Sequence, residues 1–231
     1  MCGRYTLINL AHLTQLFPWI TEPPADVPAR YNIAPTQPIL AVGNEKPDQY
    51  DFFYWGLIPS WAKDPTIGNK MINARCETLA TSNAFKNAYK RRRCLIPADG
   101  FYEWKLNADG KTKQPMYVHM KDSRPFALAG LWESWQDDKG NEMRSATIIT
   151  TTPNKLMAQM HNRMPVMIGP KDFERWLAKG DIPPEELDDL LVPYPDGEME
   201  AYPVSKSVNS PRNDGAELVK RIEPEATTLF G

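Results

Sequence analysis

The chain has 231 residues, of which 42% are apolar and 24% are charged, so a disordered tail and a fibrous protein are both excluded. Its formal net charge is −2, which argues against a general polyanion binder but is compatible with a local basic patch. Proline (22 residues) outnumbers glycine (13), and proline removes a backbone donor, so we expect strands and turns rather than a helical bundle.

The first predicted element is a helix at residues 6–17 with Thr6 as its N-cap, followed by an extended, proline-rich passage at residues 23–28. Runs of β-branched and aromatic residues between turn signals then predict strands. These strands cover residues 38–42, 50–55, 93–98, 101–105, 115–120, 126–132 and 145–151. The remaining elements are helices at residues 154–160, 172–179 and 181–191, a strand at 200–204, and an irregular tail from about residue 205.

No linker divides the chain, so we predict one domain over residues 1–231. Its expected fold class is α+β, with mixed or antiparallel sheets curled into a barrel-like core and flanked by a few helices. The longest apolar stretch, residues 126–132, is far shorter than the roughly 18 residues of a membrane span, and no basic-then-apolar leader opens the chain. We therefore expect a cytoplasmic protein that is monomeric and has no membrane partner.

The cysteines are Cys2, Cys76 and Cys94, an odd number without a C-x-x-C pair. This count argues against a disulfide framework and against a four-thiolate zinc site. Since the chain also has only three histidines, we expect no metal ion. No organic cofactor is expected either.

Cys2 has the most distinctive chemistry in the sequence. Removal of Met1 would leave an N-terminal cysteine, whose α-amine (pKa about 7.7–8.0) lies beside its thiol (pKa about 8.5). The amine of such a residue condenses with an aldehyde to an imine, and the thiol then closes onto the same carbon to give a thiazolidine. An internal cysteine cannot do this. Position alone leaves open that Cys2 is incidental.

Six short stretches occur in a recognisable order along the chain. They are MCGRY at 1–5, RYNIAP at 30–35, WGLIPSW at 55–61, INARCET at 72–78, PADGFYEW at 97–104 and HNRMP at 161–165. Together with the late stretch VNSPRNDGAEL at 208–218, they resemble the SOS-response-associated peptidase family, whose members crosslink themselves to abasic sites in single-stranded DNA. The resemblance spans nearly the whole chain, and six motifs in order are far more specific than any one of them.

The resemblance implies a set of catalytic residues. Cys2 would be the nucleophile, and Glu103 would open the abasic sugar, which is mostly a closed hemiacetal and must open before its aldehyde reacts. Asn73 would hold the cysteine amine or a sugar oxygen, and His161 would shuttle protons. From the alternation of its strand alone, an outward-facing acid is the simpler interpretation of Glu103.

The resemblance also implies DNA-binding residues. Arg4, Arg75 and Arg163 match positions that meet phosphates or the active site, and guanidinium groups suit phosphate oxygens. Asn32 falls in a motif near the site. Trp61 could stack on a base beside the lesion, whereas core packing is the default interpretation of any single tryptophan.

The expected partner is single-stranded DNA that contains an abasic site, and the expected location is the cytoplasm, at the nucleoid when damaged DNA is bound. Removal of Met1 by the chain itself would fit the peptidase in the family's name. Two other functions stay open. One is an N-terminal-nucleophile thiol amidohydrolase or peptidase, in which Cys2 attacks a carbonyl. The other is a non-covalent single-strand-binding module that uses Trp61 and the basic run at residues 90–93, a run that otherwise reads as a solvated surface turn.

Overall fold

The computed structural model describes residues 2–20 and 27–223. Its strands, in chain order, are β1 Tyr5–Leu7, β2 Arg30–Ile33, β3 Pro38–Gly43, β4 Asp51–Trp55, β5 Asn73–Arg75, β6 Arg93–Ala98, β7 Gly100–Leu106, β8 Lys113–Met120, β9 Phe126–Gln136, β10 Glu142–Thr151, β11 Met164–Pro165, β12 Met167–Ile168 and β13 Met199–Pro203. The α-helices are α1 Ala11–Leu16, α2 Lys86–Arg91 and α3 Phe173–Trp176. Turns of 3₁₀ helix cover Pro65–Lys70, Cys76–Thr78, Met157–Gln159, Pro170–Asp172, Pro184–Glu186, Asp188–Leu190, Asp196–Glu198, Lys206–Asn209 and Ala216–Val219.

Five strands close into a barrel. Around the ring, β10 pairs with β4, β4 with β3, β3 with β6, β6 with β9, and β9 again with β10. The β10–β4 pair is parallel and the other four are antiparallel, so the barrel is mixed. Closing the ring leaves these strands without a free edge. The predicted α+β class with a barrel-like core is confirmed.

A second sheet of five strands, in the order β13-β8-β7-β1-β2, packs against the barrel. Its first strand in the chain, β1, lies between β2 and β7 and pairs antiparallel with both. This arrangement brings the N-terminal segment into the interior of the sheet. The strand β5 lies elsewhere, beside β10 in parallel register.

The main core lies between the two sheets. Tyr5 and Phe101 of the five-stranded sheet pack there with Trp55, Leu128 and Ile148 of the barrel. A second cluster covers the opposite face of the barrel strands, where Leu95 and Leu131 meet Trp176 of α3. The alternation of strand side chains explains the division, because Cys94 and Ile96 face the first cluster while Leu95 between them faces the second.

The strand predictions hold closely. The predicted strand at 93–98 is β6, and those at 38–42, 50–55, 101–105, 115–120, 126–132, 145–151 and 200–204 match β3, β4, β7, β8, β9, β10 and β13 within a few residues. Of the predicted extended passage, residues 23–26 lie outside the described part of the chain.

The predicted helix at residues 6–17 is wrong in its first half. Residues 5–7 form β1, and the hydroxyl of Thr6 shares a 2.9 Å hydrogen bond with that of Tyr117 instead of capping a helix. Pairing on both edges of β1 satisfies its backbone groups and outweighs the local helical pattern. The helix α1 starts only at Ala11, whose backbone N–H donates to the side chain of Asn9.

The later helices are much shorter than predicted. The predicted helix at 154–160 is a single 3₁₀ turn, that at 172–179 contains the four-residue α3, and that at 181–191 is two 3₁₀ turns. Pro183 and Pro184 cannot donate backbone hydrogen bonds, which limits the last segment to short turns. Leu187, Leu190 and Leu191 of this segment are nevertheless buried.

In the part of the chain that the structure describes, no helix has both the length and the apolar character needed to cross a membrane.

Candidate active site

Cys2 lies just before β1 and only 1% of its surface is exposed. The side-chain amide of Asn73 donates a 2.9 Å hydrogen bond to the carbonyl oxygen of Cys2. Asn73 is the first residue of β5 and pairs with Ile148 of β10. A residue near the chain terminus is thereby fixed against a strand that the barrel holds in place.

The other polar atom of the Asn73 side chain, Oδ1, is buried and accepts no hydrogen bond from the described residues. A buried acceptor without a donor costs free energy, and such atoms in folded proteins commonly meet a ligand or a water molecule. Asn73 therefore presents a free acceptor beside the Cys2 backbone.

Glu103 is buried, with 4% of its surface exposed. It shares a face of β7 with Phe101, which lies in the main core, so the outward-facing interpretation of Glu103 is wrong. One carboxylate oxygen, Oε1, accepts a 3.1 Å hydrogen bond from the backbone N–H of Trp104. The strand thus turns this carboxyl group toward the protein interior.

Burial raises the pKa of the Cys2 thiol to about 12, and the negative charge of Glu103 acts in the same direction. At neutral pH the thiol of Cys2 is therefore protonated in the resting protein. A base must take this proton before the sulfur can act as a nucleophile.

His161 follows the 3₁₀ turn Met157–Gln159, and its backbone N–H donates to the carbonyl of Met157 at 2.8 Å. Its ring nitrogen Nδ1 accepts a 3.0 Å hydrogen bond from the backbone N–H of Arg163. An accepting Nδ1 carries no proton, so the neutral ring carries its proton on Nε2. Burial lowers the pKa of His161, while the charge of Glu103 raises it. The neutral ring is thus the resting form near pH 7.

The geometry brings together the four residues that the sequence singled out for catalysis. Asn73 touches Cys2 directly, and the charge of Glu103 acts on both Cys2 and His161. The group offers the buried thiol of Cys2 and the buried carboxyl group of Glu103, together with the amide acceptor of Asn73 and the neutral imidazole of His161, two residues that are partly exposed. These are the groups needed for addition to a carbonyl with proton transfer.

The side chains of Arg4 and Asn32 are bound by other groups of the protein, unlike side chains that are free to bind a phosphate. Arg4 donates to the side chain of Asn32 at 3.0 Å and to the carbonyl of Val208 at 2.6 Å. The fully buried Asn32 donates to the carbonyls of Ser210 at 3.0 Å and Asn213 at 2.8 Å. Both side chains therefore fasten residues 208–213 to β1 and β2. Their predicted contact with DNA stays a prediction.

Arg163 is bound by a carboxylate of the protein itself. Its two terminal nitrogens contact the two carboxylate oxygens of Glu77 at 2.5 and 2.9 Å, and one of them also donates to the carbonyl of Thr150 at 2.5 Å. Only 12% of the Arg163 side chain is exposed. A phosphate would have to compete with Glu77 for this guanidinium group.

Arg75 and Trp61 are exposed, as a DNA contact requires. Arg75 ends β5, two residues after Asn73. Trp61 is 59% exposed, so the core-packing interpretation is wrong for this tryptophan, and it borders a surface cavity of about 340 Å³ with Lys63 and Lys70.

The loop that carries Trp61 is set by a close approach of two glycines. Gly56 has φ +138°, in the region that favours glycine, and a Cβ there would lie 2.5 Å from the carbonyl oxygen of Gly68. The backbone N–H of Gly56 also donates to the carbonyl of Ala146 in β10 at 2.8 Å. The loop is therefore held against the barrel.

The basic run at residues 90–93 is not a surface turn: Lys90 and Arg91 are exposed but helical, and the run ends in a buried arginine. Its first residues form α2, and Arg93 is fully buried. The guanidinium of Arg93 donates to the carbonyls of Tyr89, Lys90, Trp176 and Ala178. Arg91 pairs with Asp181, and Arg92 pairs with Glu133. This run offers far less free positive charge than its sequence suggests.

Two acidic residues with contacts at the site were not assigned roles from the sequence. Glu77 binds Arg163, and Asp214 accepts hydrogen bonds from the backbone N–H groups of Tyr31 and Asn32 at 2.5 and 2.9 Å. Both lie inside the stretches that carry the family resemblance, which was the available signal.

Among residues 2–20 and 27–223, no group of three or more His, Cys, Asp or Glu side chains is arranged to hold a metal ion.

Comparison with known proteins matches this chain to named relatives over almost its full length. The abasic site processing protein YoaM of Bacillus subtilis is 45% identical over 227 residues, which cover 95% of this chain and 97% of YoaM. The abasic site processing protein YedK of Escherichia coli is 29% identical and covers 96% of this chain and 100% of its own. The abasic site processing protein HMCES of Gallus gallus is 34% identical over 73% of this chain and 56% of its own.

A crystal structure of a protein from Bacteroides thetaiotaomicron has the same fold, with a TM-score of 0.84 and 26% identity over 96% of this chain and 100% of that one. A family model described as SOS response associated peptidase (SRAP) matches residues 1–211. The motifs, the fold and these similarities agree, and the chain belongs to the SRAP family.

Proposed function

We propose that this chain processes abasic sites in DNA and that it captures them covalently, through a thiazolidine formed by Cys2 after Met1 has been removed. The names of the relatives support the processing of abasic sites. The observation that carries the covalent mechanism is the position of Cys2, held by Asn73 through its carbonyl oxygen and buried beside the charge of Glu103.

The proposed reaction needs no oxidant or reductant. The opened abasic sugar presents an aldehyde, and the free amine of Cys2 adds to its carbon. Loss of one water molecule from the adduct gives an imine. The thiol of Cys2 then adds to the imine carbon, its proton ends on the nitrogen, and the five-membered ring closes. Overall, aldehyde, amine and thiol give thiazolidine and water.

The proton transfers fall to Glu103 and His161. Glu103 would move the proton that opens the sugar hemiacetal, since its buried carboxyl group lies beside the residue that must receive the aldehyde. His161 would act first as a donor, because its Nε2 carries the proton of the neutral ring while its Nδ1 already accepts a hydrogen bond. The free Oδ1 of Asn73 would accept a hydrogen bond from the Cys2 amine.

The DNA strand would be held by Arg75 and Trp61, whose exposed side chains can reach a phosphate and a base. Arg4, Asn32 and Arg163 make internal contacts first, so any contact that they make with DNA would require an exchange of partners. Preference for single strands, the monomeric state, the location at the nucleoid and self-removal of Met1 remain predictions.

The test is a denaturing gel of the full chain, with removal of Met1 verified by mass spectrometry. The protein is mixed with single-stranded DNA that carries one abasic site or, as a control, its reduced, aldehyde-free analogue. A heat-stable shifted band with the aldehyde alone is expected. Cys2→Ala should abolish it, while the matched variant Cys76→Ala should retain it.

Three other results would change the proposed function. A stable band that survives Cys2→Ala would exclude the thiazolidine mechanism. If the wild-type protein gives no band but hydrolyses amide or peptide substrates, the thiol amidohydrolase is the function. If it binds intact and abasic strands equally without a covalent product, it is a non-covalent binding module.

A further inference from the structure

The ion pair between Glu77 and Arg163 joins two segments that carry site residues. Glu77 lies in the turn Cys76–Thr78, directly after the strand that begins with Asn73. Arg163 lies two residues after His161. Both terminal nitrogens of Arg163 contact Glu77, at 2.5 and 2.9 Å, in the two-pronged arrangement that fixes orientation as well as distance. The pair therefore ties the Asn73 segment to the His161 segment.

The pair keeps its charges at neutral pH. Hydrogen bonding from Arg163 lowers the pKa of the Glu77 carboxyl group to about 2. The same guanidinium also donates to the carbonyl of Thr150 in β10, so it is anchored to the barrel wall. An arginine held by a carboxylate and a barrel strand has little freedom to rotate.

What Arg163 holds in turn is the imidazole of His161. The backbone N–H of Arg163 donates to Nδ1 of His161 at 3.0 Å. This bond exists only when Nδ1 is free of a proton, so its presence selects the ring form with the proton on Nε2. If the Arg163 backbone moved, both the ring orientation and the choice of nitrogen would be released.

We propose that Glu77 is a positioning residue for His161: by clamping Arg163, it keeps the imidazole in the form that donates from Nε2. Glu77 does not touch the reacting atoms in this proposal. The role rests on the proposed function only insofar as His161 transfers protons in the reaction; the effect on the ring itself is independent of any substrate.

Other charges act on His161 without choosing its nitrogen. The charge of Glu103 on β7 raises its pKa, and that of Lys113 on β8 lowers it. These charges shift how much of the ring is protonated at a given pH. The hydrogen bond from Arg163 favours the neutral ring whose proton lies on Nε2.

The first experiment is NMR on the free, full-length protein labelled with ¹⁵N, at a pH above the histidine pKa values. Long-range couplings between ring protons and ring nitrogens distinguish a proton on Nε2 from one on Nδ1, and a His161→Gln variant assigns the signals. The wild-type protein should show Nε2–H at His161. Glu77→Gln should give a mixture of the two forms.

A matched control is Asp181→Asn, which breaks the exposed pair with Arg91 and should leave the His161 signals unchanged. Arg163→Lys is a second test in case Glu77→Gln folds poorly, because lysine keeps the charge but cannot bind both oxygens of the carboxylate. It should also give a mixture. An unchanged Nε2–H form in folded Glu77→Gln and Arg163→Lys would overturn the proposal.

The second experiment compares crosslinking rate with non-covalent affinity for a strand that carries the reduced abasic analogue. Glu77→Gln should lower the crosslinking rate about tenfold and leave the affinity for the reduced analogue unchanged. The expected loss is a part of the roughly 10²–10⁴-fold that a positioned acid–base group contributes to a rate. A higher affinity with an unchanged rate would overturn the proposal, because Glu77 would then be masking a phosphate-binding arginine. If the wild-type protein itself forms no crosslink, the proposed function fails while the NMR result still decides the role of Glu77.

Discussion

Asn73 donates the N–H of its side chain to the carbonyl oxygen of Cys2, a residue that precedes it by 71 positions. The bond fixes the backbone on which a freed amine would stand. It also leaves the second polar atom of the same amide, Oδ1, buried and without a hydrogen-bond partner among the described residues. One side chain thus both holds Cys2, the nucleophile of the proposed reaction, and offers it an acceptor.

Replacement of Asn73 by Ala should slow crosslinking about tenfold, which corresponds to the loss of about 1.4 kcal/mol of transition-state stabilisation from one hydrogen bond. The rate is measured on single-stranded DNA with one abasic site, at saturating protein. Asn141→Ala, in an exposed turn, is the control and should react at the wild-type rate. Equal rates for the two variants would mean that Asn73 only supports the fold.

The thiols should react with iodoacetamide in an order set by burial. With a pKa near 12, about 1 in 10⁵ Cys2 thiols is ionised at pH 7, and the thiol is also buried. Burial raises the pKa of Cys94 and of Cys76 as well, but Cys76 is only half-buried and so is the most accessible of the three thiols. Peptide mass spectrometry of the native protein should therefore find label on Cys76 first. Rapid labelling of Cys2 in the native state would contradict this burial; in urea all three should react alike.

Removal of the Glu103 charge should lower the pKa of His161. The negative carboxylate favours the protonated imidazole, so Glu103→Gln should shift the NMR titration of His161 to lower pH. As a matched control, Glu200→Gln removes a carboxylate that lies 3.3 Å from His119 and should leave the His161 titration unchanged. A His161 titration unchanged by Glu103→Gln would show that the two groups do not interact.

Asn32→Ala should destabilise the fold by about 2 kcal/mol or more, because it removes the buried amide that donates to the carbonyls of Ser210 and Asn213 and deprives Arg4 of an acceptor. Urea unfolding gives the free energy, and limited proteolysis should show earlier cleavage around residues 206–216. Asn107→Ala, at an exposed hairpin, should cost much less. If the Asn32 variant instead keeps its stability and loses DNA affinity, Asn32 is a DNA contact after all.

The sequence predicted the barrel strands well, because their apolar runs are read locally and need no knowledge of partners. The predicted strand at 93–98 coincides with β6. Prediction from the sequence failed where contacts between distant segments decide the structure. Residues 5–7 follow a helical pattern but pair with β2 and β7 on both sides, and such pairing cannot be read from one segment.

The site shows the same division. The motifs named Cys2, Asn73, Glu103 and His161 as candidates, and the structure links Cys2 to Asn73 by a hydrogen bond and places the charge of Glu103 where it acts on Cys2 and His161. No pattern in the sequence indicated that Arg163 is bound by Glu77 or that Arg4 and Asn32 hold residues 208–213. The sequence of a motif is the same whether its arginine binds a phosphate or a carbonyl oxygen of the protein. Only the position of its neighbours decides which it is.

The first residues of most proteins are mobile, and a reacting group placed there would have to be ordered each time it met its target. Here β1 is inserted between two other strands and Cys2 is tied to the barrel through Asn73. The conformational entropy of fixing this segment is therefore lost once, when the chain folds. Under the proposed function, each encounter with DNA would begin with Cys2 already ordered.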